Sequence, residues 1–376
     1  MTITTQRTCP ATAPRVCPEA PPHHLQYRQI GALDLETGGR LPEVRVAYET
    51  WGRLNARADN AVLVEHALTG DSHVAGPAGP GQPTPGWWDG LVGPGRPLDT
   101  DRFFIVATNV LGGCRGTTGP ASTAPDGKPW GSRFPFVTIR DQVAAEAALA
   151  DQLGIHRWAA VLGGSMGGMR AGEWVASYPD RVQAALVLAS TGAASAEQIA
   201  WCQPQLLAIR QDPHFRGGDY YDHPVGPDAG LGLARRIAHV TYRSEQELAD
   251  RFGRRAQGTE QPLGGGGRYA VESYLDHHAA KLVNRFDANS YLVLTESMSS
   301  HDLGRGRGGV AAALQGYTGR LLVAGVDSDR LYPLRQSEEL AAAAGQQATI
   351  IRSECGHDAF LLETAQVGAL VRGLLA

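Results

Sequence analysis

No run of 18 consecutive apolar residues occurs anywhere in the 376-residue chain, which excludes a membrane-spanning helix. Neither sign of charge dominates. With 34 Lys and Arg against 38 Asp and Glu, and a formal net charge of −4, a nucleic-acid binder held by a basic surface is excluded as well. Cysteine is scarce and odd in number: Cys9, Cys17, Cys114, Cys202 and Cys355 include no C-x-x-C pair. That pattern speaks against a disulfide scaffold and for a reduced, cytoplasmic protein. Histidine and cysteine form no cluster at metal-ligand spacing, and the adjacent pairs His23-His24 and His277-His278 cannot face one another on a helix. No metal and no bound cofactor are expected.

Glycine is what the chain has in excess, 47 residues of 376, or nearly twice the usual share of about 7%. There are 23 prolines as well, but 43% of residues are hydrophobic and no Gly-x-y period exists, so neither collagen nor bulk disorder fits. The glycines are expected at turns and close backbone approaches. The proline-punctuated start, with no apolar signal-peptide core, reads as a disordered arm over residues 1–25.

Apolar patterning organises the rest. Val44 to Trp51, Ala61 to His66 and Arg102 to Asn109 read as strands. Between the last two, Gly76 to Gly95 carries seven glycines and five prolines and reads as a long functional surface loop. From Thr138 the spacing becomes helical and stops at Gly154. Strand and helix then alternate: Trp158 to Leu162, Gly167 to Tyr178, Val182 to Ala189. Such alternation predicts an α/β protein with a mostly parallel, doubly wound sheet. It breaks off after Thr191 for about 120 residues of helical pattern and resumes with Leu321 to Val326, a helix through Leu334 to Ala344, a strand at Ala348 to Ile351 and a helix from Phe360 onward. A core domain over 26–191 and 316–376 enclosing a helical cap over 192–315 is therefore expected, with Gly264 to Gly267 and the GRGRGG segment as cap hinges.

Gly163-Gly164-Ser165-Met166-Gly167 fits G-x-S-x-G, a strand-to-helix elbow that lifts a serine hydroxyl above a sheet. In a chain this rich in glycine, its 16 serines give about 0.25 chance matches, so context must carry the motif. A strand precedes it and a helix follows. A serine nucleophile needs a histidine base and an orienting carboxylate, in the order Ser, acid, His. Of seven histidines beyond Ser165, only His357, in ECGHDAF, follows a late sheet strand. The acid is expected after the preceding strand, where LLVAGVDSDRLYP offers both Asp327 and Asp329. An oxyanion hole needs two backbone N–H groups. Met166, next to the serine, is one candidate, and Leu68, in HALTGDSH after an early strand, is the other.

The blocks HALTGDSH, GPAGPGQPTPGWWDG, NVLGGCRGTTGP, GGSMGGMRAGEW, ARRIAHVTYR, SDRLYP and GHDAFL, in this order from residue 66 to about 362, resemble the homoserine O-acetyltransferase family. Gly172 departs from the leucine common there. The resemblance implies an α/β-hydrolase fold, Asp329 rather than Asp327 as the acid, and Arg235 and Asp358 as ligands of the amino-acid substrate. A guanidinium suits an α-carboxylate and a carboxylate suits an ammonium. Tyr242 lies close by in sequence. Also implied are acetyl-CoA as co-substrate, L-homoserine as acceptor, a ping-pong acetyl-serine route and a homodimer built through the cap. Neighbouring readings are a homoserine or serine O-succinyltransferase, for which Arg115 is a candidate cation, another O-acyltransferase on the same scaffold, and a simple esterase.

Overall fold

The computed structural model describes residues 25–79, 82 and 84–376; apart from Leu25, the expected arm lies outside the described residues. Among the described residues ten strands run in chain order: β1 Gln26–Asp34, β2 Arg40–Trp51, β3 Ala61–Glu65, β4 Val92–Gly93, β5 Leu98–Asp99, β6 Phe104–Thr108, β7 Ala160–Gly164, β8 Ala184–Leu188, β9 Arg320–Val326 and β10 Thr349–Ile351. Eight of them form one sheet in the order β1-β2-β6-β3-β7-β8-β9-β10. From β6 to β10 all pairings are parallel, and β1 and β2 close the other edge antiparallel. The central strands β3, β7 and β8 are buried along their whole length. Helices cover both faces there, which is why these strands read as continuous apolar runs and not as alternating ones.

Two apolar clusters fill the space on the sheet's two sides. Helix α1 (Ile139–Gln152) begins in a capping box, in which Thr138 and Asp141 satisfy each other's backbone N–H. Helix α2 (Met166–Ser177) follows β7 directly. Between β8 and β9 come α3 (Ala196–Arg210), α4 (Asp228–Tyr242), α5 (Glu245–Arg251), α6 (Ala270–Val283), α7 (Ala288–Ser299) and α8 (Val310–Leu314). Helix α9 (Leu334–Ala343) connects the last two strands, and α10 (Ala359–Leu362) and α11 (Thr364–Leu375) end the chain. A third apolar cluster, with Leu68, Met166, Met169, Tyr291 and Tyr332, sits where the inserted helices meet the ends of the parallel strands.

Two sequence expectations change, and one strand went unread. Strand β1 had no apolar alternation to reveal it, because its residues are mostly exposed and a bulge at Gly31 (φ 82°) shifts its register. The Gly76 to Gly95 loop is no mere surface excursion. Its Trp88 and Leu91 are about 1% exposed, and the Trp88 indole N–H donates to Phe360 O at 3.1 Å. The GRGRGG segment is pinned rather than hinged. Arg305 pairs with Glu36 at 2.8 Å and Arg307 with Glu173 at 2.5 Å, so its two cations bind the inserted helices to the sheet domain.

Candidate active site

Strand β7 ends at Gly164 and α2 starts at Met166, leaving one residue to reverse the chain. That residue is Ser165, with φ 57° and ψ −124°, a conformation costing a non-glycine residue about 1–3 kcal/mol. Neighbours hold it there. Ser165 N–H donates to Leu188 O at 3.0 Å and Ser165 O accepts from Ser190 Oγ at 2.8 Å. The motif's two outer glycines are required sterically: a Cβ on Gly163 would lie 2.2 Å from Gly167 O, and one on Gly167 would lie 2.2 Å from Glu65 O.

The Ser165 hydroxyl points at His357, which sits just beyond β10. His357 Nε2 is 2.9 Å from Ser165 Oγ, and His357 Nδ1 is 2.6 Å from Asp329 Oδ2. A carboxylate can only accept, so Nδ1 carries the proton and Nε2 is left to accept from the serine. Asp329 is itself fixed by the Leu331 and Tyr332 N–H groups, each 2.8 Å from Oδ1. Asp327 does not reach the histidine. It is exposed, accepts from Ser353 N–H at 3.0 Å and pairs with Arg352 at 3.3 Å. Burial lowers the proton affinity of His357, but the charge and hydrogen bond of Asp329 more than offset it, so the imidazole titrates above its ordinary value. Tyr332 stacks on the imidazole at 5.0 Å and Phe360 meets its edge at 5.6 Å.

Above these groups opens a cavity of about 190 Å³. Leu68, Thr69, Ser165, His357 and Phe360 line it, together with Trp87, Arg235, Tyr242, Arg285 and Asp358. Arg235, from α4, lies over the Tyr242 ring at 5.4 Å, reaches Thr69 Oγ1 at 3.3 Å, and keeps its buried Nε unpaired. Asp358 pairs with Arg243 at 3.0 Å. Burial raises its proton affinity while Arg243 and His357 oppose the rise, and the net shift is upward. Arg285 donates to Thr69 O at 2.8 Å; burial and the Arg235 charge lower its proton affinity. Arg115 lies outside this cavity, 3.6 Å from Asp71, in a neighbouring depression. Leu68 shares the cavity lining with Ser165 and Met166 follows it in the chain, and no carbonyl of the described residues takes either N–H. The arrangement can generate a serine alkoxide equivalent facing two cations, a carboxylate and two free amides.

Residues 60–364 match the α/β hydrolase fold family. A homoserine O-acetyltransferase of Thermobifida fusca is 65% identical over 360 residues, 95% of each chain. The chain belongs to the homoserine O-acetyltransferase family. A homoserine O-acetyltransferase from Bacillus anthracis has a similar structure, with a TM-score of 0.84 and 27% identity over 94% of this chain and 97% of that one. Esterase E22 is as similar in shape, at a TM-score of 0.85 and 26% identity over 94% and 100% of the two chains.

Of the residues nominated from sequence, the fold brings Ser165, His357, Leu68, Arg235, Tyr242 and Asp358 to the lining of one cavity, with Asp329 behind the histidine and Met166 next to the serine. Sequence reasoning missed Arg285, Thr69, Trp87 and Tyr332. Trp87 and Tyr332 stood inside quoted blocks, WWDG and RLYP, where an aromatic in a glycine-rich or turn segment was a usable signal. Arg285, past the end of α6, had none. Nor had a buried ion cluster beneath the elbow. There Arg170 of α2 meets Glu65 and Glu146, each at 2.6 Å, and all three are 3% exposed or less. Among the described residues no helix is long and apolar enough to cross a membrane.

Proposed function

We propose that Ser165 takes the acetyl group of acetyl-CoA and hands it to the hydroxyl of L-homoserine, so that the chain works as a homoserine O-acetyltransferase. The observation that carries this is a serine–histidine–aspartate relay of 2.9 and 2.6 Å opening on a cavity with two arginines and a carboxylate. A plain esterase has no use for that surplus of positive charge. An amino-acid acceptor does, because its carboxylate fits between Arg235 and Arg285 and its ammonium faces Asp358.

His357 removes the Ser165 proton as Oγ attacks the thioester carbonyl. The tetrahedral oxyanion is met by the Leu68 and Met166 N–H groups. Collapse breaks the C–S bond, the thiolate takes the proton from His357, and CoA leaves. Homoserine enters, His357 removes its hydroxyl proton, and the oxygen attacks the acetyl-serine. The second collapse frees O-acetyl-L-homoserine, and His357 returns the proton to Ser165. Asp329 keeps the imidazole in the tautomer both halves need. Thiol release measured with acetyl-CoA or succinyl-CoA against homoserine or serine tests the reading. Acetyl-CoA with homoserine is expected to be fastest by far, whereas fast hydrolysis indifferent to homoserine would make the chain an esterase.

Arg235→Ala is expected to raise the KM for homoserine about 10- to 100-fold, the worth of a charge-assisted contact, and to leave the first burst of CoA intact. Stopped-flow thiol detection separates the two, and a lost burst would give the arginine another role. A pH profile follows from His357. Because its folded value lies above the reference of 6.5, the acetylation rate should rise with pH through an apparent value above that of free imidazole. The Asp329→Asn variant should titrate lower. The same shift acts oppositely on stability: the contribution is complete below the unfolded value and is lost as pH rises through the folded one. Rate and chemical-denaturation measurements over one pH series check both slopes.

The reading extends to a homodimer through the cap. Ile199 and Leu207 of α3 and Leu233 and Val240 of α4 are apolar and 37–48% exposed, on two helices packed against each other. Sedimentation should give a dimer that Leu233→Glu shifts toward monomer; a wild-type monomer would refute the pairing.

A further inference from the structure

Whether an oxyanion hole works depends on where its N–H groups point, and that direction is set by the peptides before them. The Leu68 N–H shares a planar unit with the Ala67 carbonyl and points the opposite way. In HALTGDSH the Ala67 carbonyl is held twice. Gly70 N–H donates to it at 2.9 Å, closing a tight turn, and His66 Nδ1 lies 2.7 Å from it. The other ring nitrogen of His66, Nε2, accepts the Val110 N–H at 3.1 Å. A ring nitrogen that accepts carries no proton, so the proton of neutral His66 must sit on Nδ1 and be donated to Ala67 O. The histidine reaches outside the turn to Val110, next to the β6 strand end, and so ties the turn's geometry to the sheet.

Three further contacts fix the same loop. Arg170 Nη2 donates to His66 O at 2.7 Å, and Arg170 belongs to α2, the helix that also presents Met166. Arg285 Nη1 holds Thr69 O at 2.8 Å. Gly70 has no room for a side chain, since a Cβ there would lie 2.8 Å from the His66 Cβ. The carbonyls of residues 66, 67 and 69 are thus all engaged by donors, leaving the Leu68 N–H turned away from the His66 ring.

We propose that His66 is a positioning residue of the acyl-transfer site: its Nδ1–H, oriented by Val110 N–H on Nε2, fixes the Ala67 carbonyl and thereby aims the Leu68 N–H at the developing oxyanion. Arg170 couples this half of the hole to the Met166 half by holding His66 O from the nucleophile's own helix. The inference rests on the reading of Leu68 as an oxyanion donor. Burial and the Arg170 charge push the imidazole down to about 3, consistent with a neutral ring throughout the working range.

Two experiments test it on the full-length protein. Nitrogen-15 imidazole NMR should show His66 as one protonated Nδ1 and one bare Nε2, unchanged between about pH 6 and pH 8, where free imidazole titrates. An Nε2–H tautomer or a charged ring would overturn the proposal without any variant. Kinetically, His66→Ala should slow both CoA release and acetyl transfer to homoserine, by up to about 100-fold, with the homoserine KM unchanged. It should weaken inhibition by methylboronic acid, whose serine adduct mimics the oxyanion, in the same proportion. His66→Asn, whose amide nitrogen stands near the Nδ1 position, should recover most of each loss. Equal defects in the Asn and Ala variants, or slowed turnover with boronate inhibition intact, would reduce His66 to a core residue. Failure of the underlying reading looks different: the wild type would give no acetyl-enzyme burst, or Ser165→Ala would still transfer acetyl.

Discussion

Ser165→Ala should lower the turnover of acetyl-CoA with homoserine by about four to six decades, the range found when a triad nucleophile is removed. The variant is informative because little else changes. Alanine keeps the Cβ, so the strained φ of 57° is neither relieved nor worsened. The backbone bonds of residue 165, to Leu188 O and from Ser190 Oγ and Met169 N–H, survive. What is lost is one hydroxyl bond to His357, worth about 1 kcal/mol of stability. A thermal melt near that of the wild type, together with no burst of CoA and no acetyl-protein by mass spectrometry, is the expected set. Near wild-type transfer by the folded variant would end the acetyl-serine mechanism.

A second large effect is on stability. Arg170→Met should destabilise the fold by about 3–5 kcal/mol, because it strands two buried carboxylates. Arg170 lies between Glu65 and Glu146 at 2.6 Å from each, although neither Glu65 oxygen receives a directed hydrogen bond; that contact is ionic. Glu146 is better served, by Trp174 Nε1 and Thr108 Oγ1, both at 3.0 Å. Burial, opposed by Arg170 and reinforced by the charge of Glu146, lifts Glu65 well above the usual carboxylate range. Without the guanidinium, which opposes that rise, Glu65 must rise further. A carboxyl whose folded value is raised favours the native state at low pH and costs stability once the pH exceeds its unfolded value. The deficit of Arg170→Met should therefore widen from about pH 5 to pH 8 and shrink when Glu65→Gln is added. Urea midpoints that match the wild type across that range would show the cluster to be energetically idle.

Much of the sheet could be read from the chain because buried parallel strands such as AVLGG and AALVL leave an unbroken apolar run, and α1 announces itself with Thr138 and Asp141 at capping spacing. Strand β1 could not, being exposed on most of its length. The serine and its histidine were legible for different reasons. Ser165 is marked locally by two glycines that the turn cannot do without, and His357 by its place after the last strand.

The acid shows where such reasoning ends. Asp327 and Asp329 are two residues apart after one strand, and composition and spacing treat them alike; family resemblance chose between them, and in the fold a two-residue shift sends one carboxylate to His357 and the other to solvent beside Arg352. By itself, then, the sequence determined the order of the buried strands and the helices and the elbow, because each depends on periodicity or on residues adjacent in the chain, while the acyl-transfer class came from the family resemblance spread along it. Tertiary structure alone decided that Arg285 joins Arg235 over the serine, that Arg170 braces Glu65 against Glu146, and that His66 holds the peptide before Leu68. Those last three depend on groups from separate elements meeting at hydrogen-bond distance, a property that no local run of residues encodes.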